Sequence, residues 1–193
     1  MQPVTAIVPP TILWTISLCA LLWGACTDLR LRIIPDRVSL LVAASGITIA
    51  YVLRRDDIYS SLIAFVLVFA GLCLAGYYDF VGGGDVKLIS AVTLLVPSAD
   101  VVGLLLEIAL AGGLLSCAYL FARHRLKREL QSPSRARVAT RLPWLTASNS
   151  FQQEAARIIA GEPMPYAFAI LGGVVFHGAR ELYQCRSAVS CLF

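Results

Sequence analysis

The sequence predicts an all-α, polytopic membrane protein with about six transmembrane helices and a basic cytoplasmic loop between the last two. The first observation behind this is composition. Of 193 residues, 58% are hydrophobic and only 15% charged, against roughly 45–50% and 25% in soluble domains, and the mean hydropathy is +0.76. The second is that the apolar residues gather into runs approaching the ~20 residues a helix needs to cross a ~30 Å hydrocarbon core. The third is the placement of positive charge: eight of the 16 Lys and Arg residues lie between Arg123 and Arg157.

Taken in order, the runs give six expected helices: Ile7 to Thr27, Val38 to Leu53, Ser60 to Tyr78, Val86 to Val96, Val101 to Ala122 and Pro165 to Tyr183. Helices are required because hydrocarbon offers the backbone no hydrogen-bond partner. Ser60 and Asp100 read as N-caps of the third and fifth. The fourth run is short for a full span, so it either extends back through Gly82-Gly83-Gly84 or lies buried among its neighbours. Residues 1–193 read as a single membrane domain, with 123–163 as a cytoplasmic loop inside it. In that loop, Ser150 with Gln153 resembles a capping box. Phe151, Ala155, Ile158 and Ile159 then recur at helical spacing, so a short amphipathic helix is expected there. Gln131 to Arg141 reads as linker.

Arg30, Arg32 and Arg37 follow the first run and the basic cluster follows the fifth, so both fall on one side if all six runs cross. The positive-inside rule makes that side cytoplasmic, with the N- and C-termini outside. Clustering of this kind beside apolar runs, with no nucleic-acid motif, argues against nucleic acid as a partner. No Lys or Arg precedes Arg30, so the first run reads as an uncleaved helix rather than a signal peptide. No Cys-x-x-Cys pair occurs. Cys19, Cys26, Cys73 and Cys117 are expected as small buried hydrophobes, and Cys185 with Cys191 could pair in an oxidising compartment.

Most carboxylates have ordinary settings: Asp56 and Asp57 read as a solvated cluster with Arg54 and Arg55. Glu107 falls inside the fifth run, where an ionisable group is costly and therefore a functional suspect or a partner for another helix. His177 reads as a helix-packing residue. Asp28 closes one apolar helix and Asp85 opens another, directly after three glycines that permit unusual dihedrals and close backbone approach. Two carboxylates on one face of the membrane can hydrolyse a peptide bond with water alone, because like charges a few Å apart keep one proton between them. No ligand set for a metal is visible, the spacing of His124 and His177 to the aspartates being unsuitable, and no cofactor is expected.

The segment Asp28-Leu-Arg-Leu-Arg-Ile-Ile-Pro35-Asp36 resembles the first-aspartate motif of the prepilin peptidase family, and Gly82-Gly83-Gly84-Asp85-Val86-Lys87-Leu88 resembles its Gly-x-Gly-Asp motif. Asp79 stands six residues before Asp85, where members often carry an acid, and Glu162-Pro-Met-Pro165-Tyr166 resembles a Pro-Phe/Tyr element entering the last helix. The resemblance spans about Ala25 to Gly173. It implies a membrane aspartyl endopeptidase of the bacterial inner membrane, with Asp28 and Asp85 as the catalytic pair. It further implies Gly82, Gly83 and Gly84, with Asp36, Asp79 and Lys87, on the substrate side. The implied partners are a prepilin with a basic leader and an apolar helix, the lipid bilayer and the pilus assembly machinery. Larger members carry an N-terminal Cys-x-x-Cys domain with methyltransferase activity. This sequence resembles the short tight-adherence (Flp pilus) type, and cleavage without N-methylation is expected of it. Two rival readings use the same residues: a presenilin-like or preflagellin-type aspartyl protease, and an ion-coupled transporter holding ions at Asp28 and Asp85.

Overall fold

The computed structural model describes residues 10–131 and 165–190, with side-chain environments over 12–125 and 165–183. Among the described residues the secondary structure is entirely helical. The helices are α1 (Pro10–Leu31), α2 (Asp36–Leu53), α3 (Ile58–Tyr77), α4 (Gly83–Thr93), α5 (Val101–Gln131) and α6 (Ala167–Ser190), with short 3-10 turns at Arg55–Asp57 and Ser98–Asp100. The chain divides into two compact units, Met1–Ala111 with Pro165–Phe193, and Gly112–Met164. The expected amphipathic helix at Ser150–Ile159, the linker from Ser132 onward, and Cys191 lie outside the described residues, as does the side chain of Cys185.

Among the described residues, four stretches are long and apolar enough to cross a membrane: Ile12–Leu31, Asp36–Leu53, Arg55–Tyr77 and Ser98–Arg125. The fourth run is different in kind. α4 has 11 residues, only about 16 Å of helix, and from Leu88 to Val96 every residue is buried. A helix apolar all round belongs inside its protein, and α4 is the central helix of the first unit. It packs on α2 and α3 and also meets α6, while α1 lies against α2 and α6. α3, the most apolar span, buries only Ser61 and turns Ile63, Val66, Leu67 and Leu74 outward. That is the arrangement hydrocarbon solvent favours, since lipid tails are as apolar as leucine. Inside the bundle Leu21, Val38, Val42, Val92, Leu104 and Ile170 pack in one apolar cluster, and polar contacts add to it: Ser17 and Ser45 meet at 2.6 Å between α1 and α2.

The turns put the α1–α2 and α3–α4 connections at one end, and the α2–α3 and α4–α5 connections at the other. At that second end Arg54 Nη2 donates to the carbonyls of Leu94 (3.2 Å) and Leu95 (3.0 Å), satisfying orphan groups just past the C-terminus of α4. Asp57 accepts from the Ser98 amide (3.3 Å) and hydroxyl (3.0 Å). Arg54 and Asp57 therefore tie α4 and α5 to the α2–α3 turn, where the sequence reading had a solvated charge cluster.

Other expectations also change. α3 begins at Ile58, so Ser60 sits in its first turn and Asp57 holds the N-cap position, without a side-chain cap bond. α5 continues past Ala122 to Gln131, so Arg123 to Arg128 are helical rather than loop; within it Arg125 lies 5.0 Å from the ring centroid of Phe121. Cys19, Cys26, Cys73 and Cys117 are exposed, on faces that an apolar solvent suits as well as a core does.

Candidate active site

Asp28 sits in the last turn of α1. That helix stops because Arg32 takes a left-handed φ of 56° while its amide donates to the Asp28 carbonyl at 2.9 Å, a left-handed C-terminal cap. Pro35 then holds the N-cap position of α2, its φ of −64° set by its ring. The return segment brings Ile34 against α4: a Cβ on Gly84 would lie 3.3 Å from the Ile34 Cβ. Glycine at 84 thus lets the turn after Asp28 close onto the helix that carries Asp85.

The second carboxylate is placed by the end of α3. Asp79 has a φ of 59°, its amide donates to Gly76 O, and that of Phe80 donates to Ala75 O. This pair of bonds is the Schellman motif, with Asp79 at the left-handed position that Asp tolerates better than most residues. Gly82 is the N-cap of α4 in extended conformation, and Asp85 is the helix's third residue. The carboxylate folds back over its own N-cap, for a Cβ on Gly82 would stand 3.2 Å from Asp85 Oδ2. None of the three glycines uses a positive φ, contrary to the expectation of special dihedrals; what Gly82 and Gly84 supply is room. At Gly83 a Cβ would meet nothing within 4 Å.

Asp28 is 7% exposed, and its Oδ2 accepts a hydrogen bond of 3.1 Å from the backbone amide of Ala167. Ala167 opens α6, and the first amides of a helix have no partner inside it, so one such donor is spent on the carboxylate. Asp85 is partly buried just outside the four apolar spans. Burial first, and the charge of Asp28 second, push its carboxyl up to about 6. The charge of Asp85 in turn acts on Tyr166, the residue before Ala167. Asp28, Asp85 and the start of α6 therefore converge at one end of the first unit.

The other candidates are placed less centrally. Asp36 and Lys87 form an exposed ion pair at 2.7 Å that links the start of α2 to α4; in water such a pair contributes about 0–1 kcal/mol. Asp79 is exposed and has the backbone role just described. Ala167 was not singled out from the sequence, although the Pro165-Tyr166 element directly precedes it. Among the described residues no group of three or more His, Cys, Asp or Glu side chains is placed to hold a metal ion.

The profile of the type IV leader peptidase family matches residues 15–117. That stretch holds both aspartates, the glycine run, Asp36, Asp79 and Lys87, and it ends before α6. No curated protein and no solved structure matches the chain. With residues 15–117 of 193 matched, more than half its length, this membrane protein belongs to the type IV leader peptidase family.

Proposed function

We propose that the chain is an aspartic endopeptidase that removes the basic leader from a type IV prepilin of the Flp type, cutting at the cytoplasmic face of the inner membrane with Asp28 and Asp85. The observation that carries this reading is the coupling of two helix-end carboxylates: burial first, and the charge of Asp28 second, raise the Asp85 carboxyl to about 6, so it takes up a proton far more readily than a free aspartate does. Such a pair holds one proton between them. The ionised member takes a proton from water as the water oxygen attacks the scissile carbonyl carbon, and the protonated member gives its proton to the carbonyl oxygen. Collapse of the gem-diol breaks the C–N bond, as a proton moves from a hydroxyl through the pair to the leaving nitrogen. Water is the only co-reactant. The Ala167 amide holds one oxygen of Asp28, which leaves the other for the water.

A groove of about 390 Å³, lined by Leu40, Ala43, Phe65, Phe69, Asp36 and Lys87, offers an apolar surface around the Asp36–Lys87 ion pair. It suits a substrate whose cut lies where a polar leader meets an apolar helix. Asp36, Asp79, Lys87 and the glycine run belong to the substrate side of this reading. The test is cleavage of a synthetic prepilin by purified enzyme. Asp28→Asn and Asp85→Asn should each lower the rate by about 10²–10⁴-fold or more at unchanged abundance in the membrane. Processing by either variant near the wild-type rate overturns the assignment.

A further inference from the structure

α6 supplies the amide that touches Asp28, yet residues 132–166 separate it from α5. Fully extended, that connection reaches on the order of 100 Å, so its length cannot set how far α6 slides along its neighbours. Something else must fix its register. Glu107, on α5, is 8% exposed and His177, on α6, is 1% exposed. His177 Nδ1 donates to Glu107 Oε2 at 2.8 Å, and Arg180 Nη1 stands 2.7 Å from Glu107 Oε1 as an ion pair, off the hydrogen-bonding direction. One carboxylate thus engages two residues on one face of α6, a turn apart. Among the described residues the Nε2 of His177 has no hydrogen-bond partner, so the Glu107 contact is the one that holds the imidazole's polar edge there. A turn before His177, the helices meet backbone to backbone: a Cβ on Gly173 would lie 2.6 Å from Ile108 Cγ1 and 2.8 Å from Ile108 Cα.

Sliding α6 by one residue moves it about 1.5 Å and turns it about 100°. That would carry His177 and Arg180 away from Glu107 and drive another side chain into Ile108. We propose that Glu107, His177 and Arg180 form a register latch, a set of positioning residues that hold the Ala167 amide on Asp28 from about 15 Å away along α6. Ionisable groups in a lipid-embedded bundle are costly to keep, and this latch is the use the molecule makes of them. The inference rests on the proposed role of Asp28.

Two readouts test it, one of them independent of catalysis. The Ala167 amide has no intrahelical partner, so its hydrogen exchange reports the bond to Asp28. Glu107→Ala should speed that exchange about ten-fold or more and lower kcat about ten-fold, with KM within about two-fold. Exchanging the pair, Glu107→His with His177→Glu, should restore both to within about three-fold, because the cross-helix contact is rebuilt. If Glu107→Ala does not accumulate, Arg180→Gln, at a part-exposed residue, carries the same test. Unchanged Ala167 exchange in a folded latch variant overturns the latch, as does a loss expressed in KM alone. Faster exchange with undiminished cleavage overturns instead the role of Asp28 on which the inference rests.

Discussion

Asp85 is where residue-scale physics bears most directly on activity. Its carboxyl, raised from 3.8 to about 6, holds a proton more tightly in the folded protein than in the unfolded chain. That stabilising contribution is complete below about pH 3.8 and is lost as pH rises through about 6. Protein in detergent should therefore lose thermal stability across that window, and Asp85→Asn should remove this part of the decline. If Asp85 is the acid of the proposed pair, its donating form is lost in the same range, and kcat/KM should fall as pH rises beyond about 6; a pH–rate profile checks the limb. The glycines before it make a second residue-scale test. Gly82→Ala would set a Cβ 3.2 Å from the Asp85 carboxylate and displace it by a few tenths of an ångström. Displacements of about 1 Å can cost 10²-fold, so a loss of about ten-fold is expected. A Cβ at Gly83 meets no protein atom within 4 Å, so Gly83→Ala should leave Asp85 in place and lose less activity than Gly82→Ala in the same assay.

At the scale of elements, the α4 ends are held by different chemistry. Its start is shaped by the Schellman turn at Asp79 and the glycine N-cap; its end is closed by Arg54, half-buried against the Leu94 and Leu95 carbonyls. Arg54→Met should cost about 1–3 kcal/mol, the penalty for orphaning buried carbonyls, seen as a lower melting temperature. Specific activity should hold, since Arg54 is at the end away from Asp28. These ends also show what a sequence can disclose. The apolar runs of α1, α2, α3 and α5 were legible because a bilayer demands long uninterrupted stretches, and Asp28 and Asp85 stood out as carboxylates at helix ends. Arg54 was read as solvated because nothing local says that its side chain crosses to residues forty positions away. Glu107 was suspect from its place in an apolar run. Its partners His177 and Arg180 lie on a helix seventy residues further on, and helical spacing cannot tell which face meets which. The role of Ala167 was hidden for a simpler reason: the donor is a backbone amide, which has no residue signature.

The whole molecule adds the question of which face of the membrane holds the site. Arg30, Arg32 and Arg37 stand at the end carrying Asp28 and Asp85, whereas the opposite end carries Arg54 and Arg55 against Asp56, Asp57 and Asp100. Positive charge within reach of the spans is retained on the cytoplasmic side, and acidic residues count little in that balance. The Asp28 end has three arginines flanking its spans and the opposite end has two, one of them committed to the α4 carbonyls. A cytoplasmic site would also suit the proposed substrate: a basic leader resists crossing the bilayer, so its junction with an apolar helix would be presented on the inside. In a cysteine-free background, Phe80→Cys, exposed in the turn before Asp85, should react with a membrane-impermeant maleimide only after the cells are opened. Ala99→Cys, exposed in the turn before α5, should react in intact cells. Labelling of the Phe80 position from outside would invert the orientation and place the aspartates on the face where a basic leader does not remain.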